Sequence, residues 1–411
     1  MNLKNKKIAI VHDFLVDFGG AERVLEVLCE MFPEAPIYTL LYDKEKMRGK
    51  FSSKEIHTSF LQKFPRFLRK QKKWLLPLMP VAPEIFDLRD FDIVISSSGA
   101  WSKGIVTRLN TIHISYVHSP MRFVWDANEE YLRQNQISSA VADKFQNFFT
   151  RILLNYIRVW DKVAADRPDY LIANSKYTQS RIKKYYGRES VVIYPPVTVI
   201  ASEDVNDNSQ RSAAIPMQQS AKQDISSSEL NNEIATVVRG ELPRNDKYFL
   251  VVSRLSPYKK IDMVVEAFNK LGLPLVVIGE GQQEKYLRKI ARENVKIMGW
   301  QSDEKTAKYY AGARAFIFAG VDDFGMAPVE AMAYGVPVLV ICKGGALEIV
   351  EEGKTGEFFD AATPEVIADG VRRLMENEKD YKIEDIKNKA QEFSKQQFID
   401  NFKEALYNIE K

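Results

Sequence analysis

The chain has 411 residues, a formal net charge of +3 at pH 7, a hydrophobic content of 45% and two cysteines. That length suffices for two or three domains with cores of their own, and the near-neutral charge gives no indication of a nucleic-acid partner. Two scattered cysteines exclude a disulfide framework and a cysteine-based zinc site, and they favour a reducing compartment.

Hydropathy predicts neither a membrane-spanning helix nor a signal sequence. No uninterrupted apolar run reaches the roughly 18 residues that a spanning helix needs. The first apolar run, residues 8–11, is too short for a signal peptide and is typical of a first strand. We therefore expect a cytoplasmic protein, with the cytoplasmic face of a membrane as an alternative location.

The chain opens with a predicted strand, a glycine pair and a helix. Residues 7–13 form a buried strand pattern that ends in polar side chains, and Gly19 and Gly20 precede a helical pattern through Met31. Backbone N–H groups in such a loop can approach an anion or a sugar. A tight turn without a ligand explains the same pattern, and the residues alone leave both interpretations open.

Residues 57–83 combine basic, aromatic and proline residues. Six lysines and arginines lie between Lys63 and Lys73, beside phenylalanines at helical spacings that Pro65 interrupts. Basic residues next to Phe and Trp favour a peripheral membrane contact over residues 60–74. The alternative is a helix that packs its apolar face on the domain and leaves its lysines in solvent.

The next two predicted strands lead to a candidate histidine. Asp90-Phe-Asp92 precedes the strand 91–98 instead of following it, so we interpret it as a turn and not as a metal motif. The strand 112–117 places His118 at its carboxyl end, where α/β sheets bind ligands. An imidazole there can donate a hydrogen bond to a sugar hydroxyl, although a lone histidine is more often structural.

Strands and helices alternate up to residue 197 and again from residue 247, which predicts an α/β protein with parallel sheets. Residues 139–168 are a predicted long helix. Residues 198–241 are polar and almost free of aromatic residues, so we interpret them as an insertion between domains. The predicted domains are therefore 1–197 and 242–392.

Two cations follow the first strand of the second domain. Arg254 and Lys259 lie five positions apart at the carboxyl end of that strand. This arrangement suits a diphosphate, whose developing charge must be neutralised when it leaves. Solvent-facing loop charge is the alternative.

Residues 315–341 form a strand, a loop, a short helix and a further strand. Asp322 lies in the loop and Glu330 in the expected first turn of the helix, which Pro328 suggests. A carboxylate can accept two hydrogen bonds from the vicinal diol of a ribose or a pyranose. Alternatively, Glu330 complements the helix dipole and Asp322 is a turn residue. The next strand leads to Gly344 and Gly345, whose N–H groups suit a phosphate.

The stretch from Asp322 resembles the signature of the retaining glycosyltransferases of family 4. The family has Glu, seven residues and Glu, usually followed by Ala-Met-Ala-x-Gly-x-Pro-Val, which residues 331–338 match. The resemblance implies that Glu330 binds the nucleotide ribose and that residue 322 contacts the transferred sugar. Asp322 stands where the family usually has Glu, so its contact with the sugar is less certain.

The same resemblance implies a GT-B fold, with two Rossmann-like domains facing across a cleft and a final helix, about 393–411, packing back on the first. It assigns Arg254 and Lys259 to the donor diphosphate and places the glycine pair at 19–20 at the cleft. Asp13 is a weaker candidate for binding an acceptor hydroxyl. The family retains anomeric configuration and needs no divalent metal, so we expect no metal site and no cofactor besides the nucleotide-sugar substrate.

Residues 118–126, His-Ser-Pro-Met-Arg-Phe-Val-Trp-Asp, are similar to a motif of bacterial family 4 enzymes, many of which transfer mannose in polysaccharide assembly. The resemblance implies that His118 lies beside the donor sugar, that GDP-mannose is the donor, and that the acceptor is a saccharide or lipid-linked saccharide. A UDP-sugar donor, a nucleotide-sugar epimerase or hydrolase and a non-catalytic nucleotide-sugar-binding protein remain alternatives. A dehydrogenase is disfavoured because the first loop lacks G-x-G-x-x-G spacing, and no carboxylate pair indicates a glycoside hydrolase.

Overall fold

The computed structural model describes residues 6–126, 140–197 and 248–409. The chain divides into two compact units. The first comprises residues 1–197, 322–326 and 392–411, and the second comprises residues 198–321 and 327–391. The insertion predicted at 198–241 lies outside the described residues.

A parallel sheet of seven strands forms the centre of the first unit. Its strands are β1 (Ile8–Leu15), β2 (Ile37–Tyr42), β3 (Ile56–Thr58), β4 (Ile93–Ser98), β5 (Ile112–Val117), β6 (Tyr170–Ala173) and β7 (Val191–Val192). They lie in the order β3-β2-β1-β4-β5-β6-β7. Every residue of β4 is buried, because a central strand of a parallel sheet is covered on both faces and is therefore continuously apolar or small.

In the described residues, six α-helices accompany this sheet before the second unit begins. They are α1 (Gly20–Met31), α2 (Arg66–Lys70), α3 (Lys72–Leu75), α4 (Arg122–Trp125), α5 (Ala140–Ala164) and α6 (Lys176–Tyr186). The long helix predicted at 139–168 is thus present but ends four residues earlier, at Ala164. Local sequence sets the ends of α6, where the Ser175 side chain accepts from the Thr178 N–H and Gly187 adopts a φ of 66°.

The second unit contains a parallel sheet of six strands. Its strands are β8 (Phe249–Val252), β9 (Leu275–Ile278), β10 (Val295–Gly299), β11 (Ala315–Phe318), β12 (Val338–Ile341) and β13 (Gly356–Phe359), in the order β10-β9-β8-β11-β12-β13. Its helices are α7 (Ile261–Leu271), α8 (Glu284–Ile290), α9 (Asp303–Gly312), α10 (Met326–Ala333), α11 (Ala346–Ile349), α12 (Pro364–Glu376) and α13 (Ile383–Gln391). The two parallel sheets confirm the predicted fold class.

The last helix, α14 (Lys395–Ile409), belongs to the first unit. Its buried side chains, Phe398, Phe402 and Leu406, share one apolar cluster with residues of β1, α1 and β2. Residues 322–326 also lie with the first unit, whereas the sequence placed them in the second domain. The contacts of Asp323 and Phe324 with first-unit residues account for this difference.

Two segments of the first unit leave large apolar side chains exposed. On α5 these are Phe148, Phe149, Ile152, Tyr156, Val159 and Val163, and near the basic segment they are Phe67, Trp74, Leu78 and Val81. The buried sides of both segments share one cluster, through residues such as Leu61, Leu75, Leu154 and Ile157. No described helix is long and apolar enough to cross a bilayer.

Candidate functional site

In the first unit, the candidate residues lie towards the carboxyl ends of β1 and β5, the two strands on either side of β4. The chain runs from β1 to β2 and β3 on one side of β1, and then returns to β4 on its other side. Ligands of doubly wound sheets bind beyond the carboxyl ends of the strands at such a reversal. Asp13 lies on β1, Gly19 and Gly20 follow β1, and His118 follows β5.

Asp13 is buried and holds the loop that follows β4. Its carboxylate accepts hydrogen bonds from the backbone N–H groups of Gly99 at 2.8 Å, Trp101 at 2.9 Å and Ser102 at 2.6 Å. Three N–H donors on one carboxylate fix the backbone of that loop. The contacts therefore give Asp13 a structural role, and the role proposed for it at an acceptor hydroxyl stays a prediction.

The glycine pair forms the start of α1. Gly19 precedes the helix in an extended conformation, and Gly20 is its first residue. A Cβ atom at position 20 would lie 3.0 Å from the sulfur of Met326, so a larger residue would have to displace that side chain. Close packing thus explains the glycine at position 20, and the approach of a ligand to the pair stays a prediction.

His118 lies at the end of a chain of polar side chains. Its Nε2 lies 2.8 Å from the Ser97 hydroxyl, which in turn lies 3.0 Å from Nδ1 of His12. His12 Nε2 lies 3.4 Å from a carboxylate oxygen of Glu22, in the first turn of α1. Burial lowers the pKa of His118 to about 4, so its imidazole is neutral at pH 7.

Sequence reasoning did not single out His12, Ser97 or Glu22. The polar end of β1 and the serine run that ends β4 were the available signals. Neither signal shows that the three side chains meet, because they lie on two strands and a helix.

Next to Asp322, which is half-buried, the Asp323 carboxylate is held by two arginines. It accepts from Arg122 Nε at 2.9 Å and from Arg181, and its backbone oxygen accepts from the Ser175 hydroxyl at 2.6 Å. Arg181 also binds Asp126. Arg122 and Asp126 both belong to the 118–126 motif, so part of that motif positions the loop that carries Asp322.

In the second unit, the candidates lie beyond the carboxyl ends of β8, β11 and β12, which are three adjacent strands. The chain runs from β8 to β9 and β10 and returns to β11 on the other side of β8, which makes a second reversal. The residues concerned are Arg254 and Lys259 after β8, Glu330 after β11, and Gly344 and Gly345 after β12.

The two cations after β8 differ in environment. Arg254 is exposed, and its guanidinium forms no ion pair with any residue that the structure describes. Lys259 is half-buried, with its Nζ 5.1 Å from the ring centre of Phe318 at the end of β11. A Cβ atom on Gly320 would lie 3.0 Å from Lys259, so the glycine allows this close approach. Lys259 therefore lies at the reversal between β8 and β11.

Glu330 accepts a hydrogen bond from the Tyr310 hydroxyl at 2.9 Å. The Tyr310 ring is stacked on the Tyr334 ring, with 5.7 Å between the ring centres, and this contact fixes the position of the Tyr310 hydroxyl. Helix α10 begins at Met326, so Glu330 is its fifth residue and lies beyond the predicted first turn. Pro328 does lie in the first turn, as the third residue of the helix, where the backbone N–H has no helical partner.

Gly344 and Gly345 are buried in the turn between β12 and the four-residue helix α11. Gly344 has a φ of +71°, a conformation that side chains other than glycine rarely adopt. This backbone requirement explains the first glycine, and phosphate binding by the pair stays a prediction.

Within the described ranges, no group of three or more His, Cys, Asp or Glu side chains is arranged to hold a metal ion. The expectation that the protein needs neither a metal nor a cofactor stays a prediction.

The two Rossmann-like units, each with a parallel sheet, define a protein with the GT-B fold. The family model for "Glycosyltransferase Family 4" matches residues 18–199, and that for "Glycosyl transferases group 1" matches residues 236–393. The chain therefore belongs to the family 4 glycosyltransferases.

Curated relatives match about a third of the chain. A probable sucrose-phosphate synthase from Thermosipho melanesiensis is 34% identical over 149 residues, which are 31% of this chain and 35% of that protein. A GDP-mannose-dependent alpha-(1-6)-phosphatidylinositol monomannoside mannosyltransferase from Mycobacterium tuberculosis is 33% identical over 142 residues, 30% of this chain and 37% of that protein. The match thus spans little more than a third of either relative.

A solved structure is similar over almost the whole chain. Alr3699/HepE from Anabaena, in complex with UDP-glucose, aligns with a TM-score of 0.66 and covers 98% of this chain and 100% of its own. At 17% identity this similarity shows the fold.

Proposed function

We propose that the protein is a retaining glycosyltransferase that moves a hexosyl unit from a nucleotide-sugar to a saccharide or lipid-linked saccharide. The observation that carries the proposal is the set of Arg254, Lys259 and Glu330 beyond the adjacent strands β8 and β11, in a chain of family 4. Two cations suit a diphosphate, and a carboxylate with a fixed orientation suits a ribose diol.

In this proposal, the bond between the anomeric carbon and the diphosphate oxygen breaks, and the diphosphate leaves with the electron pair. Arg254 and Lys259 stabilise the charge that develops on it. The acceptor oxygen bonds to the anomeric carbon from the same face, and its proton leaves with the diphosphate. Glu330 holds the nucleotide ribose, Asp322 contacts the transferred sugar, and His118 hydrogen-bonds a hydroxyl of that sugar.

GDP-mannose is the proposed donor. The 118–126 motif and the GDP-mannose-dependent relative support this choice. A UDP-sugar is the second candidate, supported by the sucrose-phosphate synthase relative and by the UDP-glucose bound to the similar structure. The relatives therefore do not agree on one donor, and a binding experiment has to decide.

A thermal-shift panel with GDP-mannose, UDP-glucose and ADP-glucose tests the donor. A ligand at 100 times its Kd stabilises the native state by about 2.7 kcal/mol, which is measurable as a higher Tm. We expect GDP-mannose to raise the Tm most. Stabilisation by UDP-glucose but not by GDP-mannose would show that the donor assignment is wrong.

Product analysis separates the transferase from its alternatives. GDP-mannose incubated without an acceptor should stay largely unchanged, since transfer needs an acceptor hydroxyl. Conversion to another nucleotide-sugar or to free sugar in that reaction would favour an epimerase or a hydrolase. Tight binding without turnover against a broad panel of saccharide acceptors would favour a non-catalytic binding protein.

A peripheral membrane contact belongs to the same proposal, because a lipid-linked acceptor lies at a bilayer surface. The exposed rings of Phe67 and Trp74 support the contact predicted over residues 60–74. The exposed apolar face of α5 extends it, since both segments pack on one cluster. Between Phe148 and Val163 the charged residues that are not buried, Arg151, Arg158 and Lys162, are all basic and suit anionic headgroups.

A further inference from the structure

The polar chain from Glu22 to His118 restricts where its protons can lie. His12 on β1 pairs directly with Ser97 on β4, so their side chains emerge on the same face of the sheet. The Ser97 hydroxyl lies between two imidazole nitrogens, 3.0 Å from His12 and 2.8 Å from His118. A hydroxyl has one hydrogen, so it donates to one nitrogen and must accept from the other.

Glu22 decides the direction. Its carboxylate accepts only, so the nearby Nε2 of His12 carries a proton. An imidazole whose single ring proton is on Nε2 has a lone pair on Nδ1, so Ser97 donates its hydrogen to His12 Nδ1. The Ser97 oxygen must then accept from Nε2 of His118, which therefore carries the proton of that imidazole.

We infer that Glu22, His12 and Ser97 are positioning residues that fix the tautomer of His118, with the proton on Nε2 and a lone pair on Nδ1. Nδ1 forms no hydrogen bond with any residue in the described part of the chain. It is therefore able to accept a hydrogen bond from a hydroxyl. This inference rests on the proposed function, in which that hydroxyl belongs to the transferred sugar. His118 then acts as a hydrogen-bond acceptor for the hydroxyl and not as a hydrogen-bond donor.

The fixed tautomer has a consequence for donor choice. A lone pair at Nδ1 attracts a sugar hydroxyl, whereas it repels a fluorine or a carbonyl oxygen at the same position. If the two tautomers of His118 interconverted freely, Nδ1 could face a hydroxyl as an acceptor or a fluorine or carbonyl oxygen as a donor. Glu22, His12 and Ser97 thus contribute selectivity for a hydroxylated sugar without touching the sugar themselves.

NMR of protein labelled with 15N-histidine measures the tautomers directly. Only four histidines are present, so single substitutions assign their signals. Two-bond 1H–15N correlations distinguish an Nδ1–H from an Nε2–H imidazole. At pH 7 we expect His118 to show the Nε2–H pattern.

Ser97→Ala tests whether the chain sets the tautomer. Without the bridging hydroxyl, the His118 signals should move towards the averaged pattern of two interconverting tautomers. Ser96→Ala is the matched control, because Ser96 lies on the same strand and hydrogen-bonds a different histidine, His113, at 2.9 Å. It should change the His113 signals and leave those of His118 in place.

Turnover of GDP-mannose should fall roughly tenfold in Ser97→Ala, the scale of one hydrogen bond, with the affinity for GDP unchanged. The two readouts separate the hypotheses, since the tautomer is measured without any substrate. An Nδ1–H pattern for His118, or an unchanged Nε2–H pattern in Ser97→Ala, would overturn the inference whatever the donor. An Nε2–H pattern that does respond to Ser97→Ala upholds it, and inactivity towards GDP-mannose would then count only against the proposed donor.

Discussion

Arg254 and Lys259 both follow β8 but lie in different environments. In the proposed reaction, both stabilise the charge on the leaving diphosphate. Replacing either by alanine should lower turnover by roughly two to three orders of magnitude, the usual effect of removing one preorganised electrostatic contact. Steady-state kinetics on each variant measures this loss. Lys285→Ala, which removes an exposed cation from α8 in the same unit, is the control and should leave turnover unchanged. Near-normal turnover in Arg254→Ala would exclude the proposed leaving-group role.

Substitutions of the two carboxylates of the family signature should have different effects on nucleotide binding and on turnover. Glu330→Gln replaces an acceptor oxygen by a donor, so it should weaken binding of free GDP by about 1–3 kcal/mol. Asp322→Asn should leave GDP binding nearly intact and mainly lower turnover. Calorimetry with GDP, alongside kinetics with the sugar donor, measures both effects. Equal loss of GDP affinity in the two variants would contradict the division of labour.

Two further substitutions refine that comparison. Tyr310→Phe removes the hydroxyl that donates to Glu330. It should reproduce part of the loss of GDP affinity expected for Glu330→Gln, because the carboxylate keeps its charge but loses the hydrogen bond that orients it. Asp322→Glu restores the usual family residue. If the shorter side chain is adapted to this protein, that change should not raise turnover.

Local residue patterns identified many of these residues as candidates for the site, but they did not predict which residues contact them. The family signature pointed to Asp322, whereas its neighbour Asp323 makes the ion pairs with Arg122 and Arg181. An ion pair between residues 201 positions apart leaves no periodic trace in the sequence. For the same reason, the sequence did not indicate the roles of His12, Ser97 and Glu22, because these roles depend on the pairing of two strands.

At the scale of single elements, α5 combines two faces of opposite environment. Its exposed apolar residues extend from Phe148 to Val163, a length of about 22 Å at the rise of an α-helix. Vesicles of anionic lipid should therefore bind the protein, more weakly as salt increases, because the adjacent charges are basic. Co-sedimentation at two salt concentrations measures the effect, and equal binding to neutral and anionic vesicles would contradict it.

Paired variants separate α5 from the basic segment. The double change Ile152→Ser and Val159→Ser should lower vesicle binding at least about fivefold, since two exposed apolar side chains lose their contact with lipid. Leu109→Ser is the matched control, because Leu109 is fully exposed outside both segments. If the double change had no effect while Phe67→Ser weakened binding, the contact would be confined to the basic segment.

The helix boundaries show what local sequence determines. Caps such as Ser175 and Gly187 set the ends of α6. Pro328 was predicted in the first turn of α10 and is its third residue, because proline is compatible with any of the first positions of a helix. Proline therefore indicates that a helix starts nearby without fixing its first residue.

At the scale of the whole molecule, the alternation of strands and helices was enough to predict two parallel sheets. It was not enough to assign residues 322–326, which lie with the first unit although the chain on both sides belongs to the second. Alternation reports the order of elements along the chain, whereas this assignment depends on Phe324 packing against Tyr194 and Phe393.

Two histidines with lowered pKa values should make the stability of the molecule depend on pH. Burial lowers the pKa of His113 to about 3 and that of His118 to about 4. Both pKa values are lower than the ordinary value near 6.5 in the unfolded chain, so unfolding takes up protons as the pH falls. Their contribution is fully present above about pH 6.5 and is lost progressively down to about pH 4 and pH 3.

Chemical denaturation at pH 7.5, 6 and 5 measures this dependence. The free energy of unfolding should decline below pH 6.5 with a slope approaching 1.4 kcal/mol per pH unit for each histidine, that is about 2.8 for both. A stability that stayed constant between pH 7.5 and 5 would show that the two imidazoles are not held neutral.

The membership of residues 322–326 in the first unit constrains how hybrids of related enzymes can be assembled. A hybrid that keeps residues 1–197 and 392–411 of this chain and takes residues 198–391 from a relative would replace Asp323 and Phe324 along with the strands of the second unit. Arg122 and Arg181 would then lose the carboxylate that they share, and Tyr194 and Phe393 would lose the ring between them. Grafting five residues back into such a hybrid, at positions 322–326, should restore the first unit without altering the imported sheet.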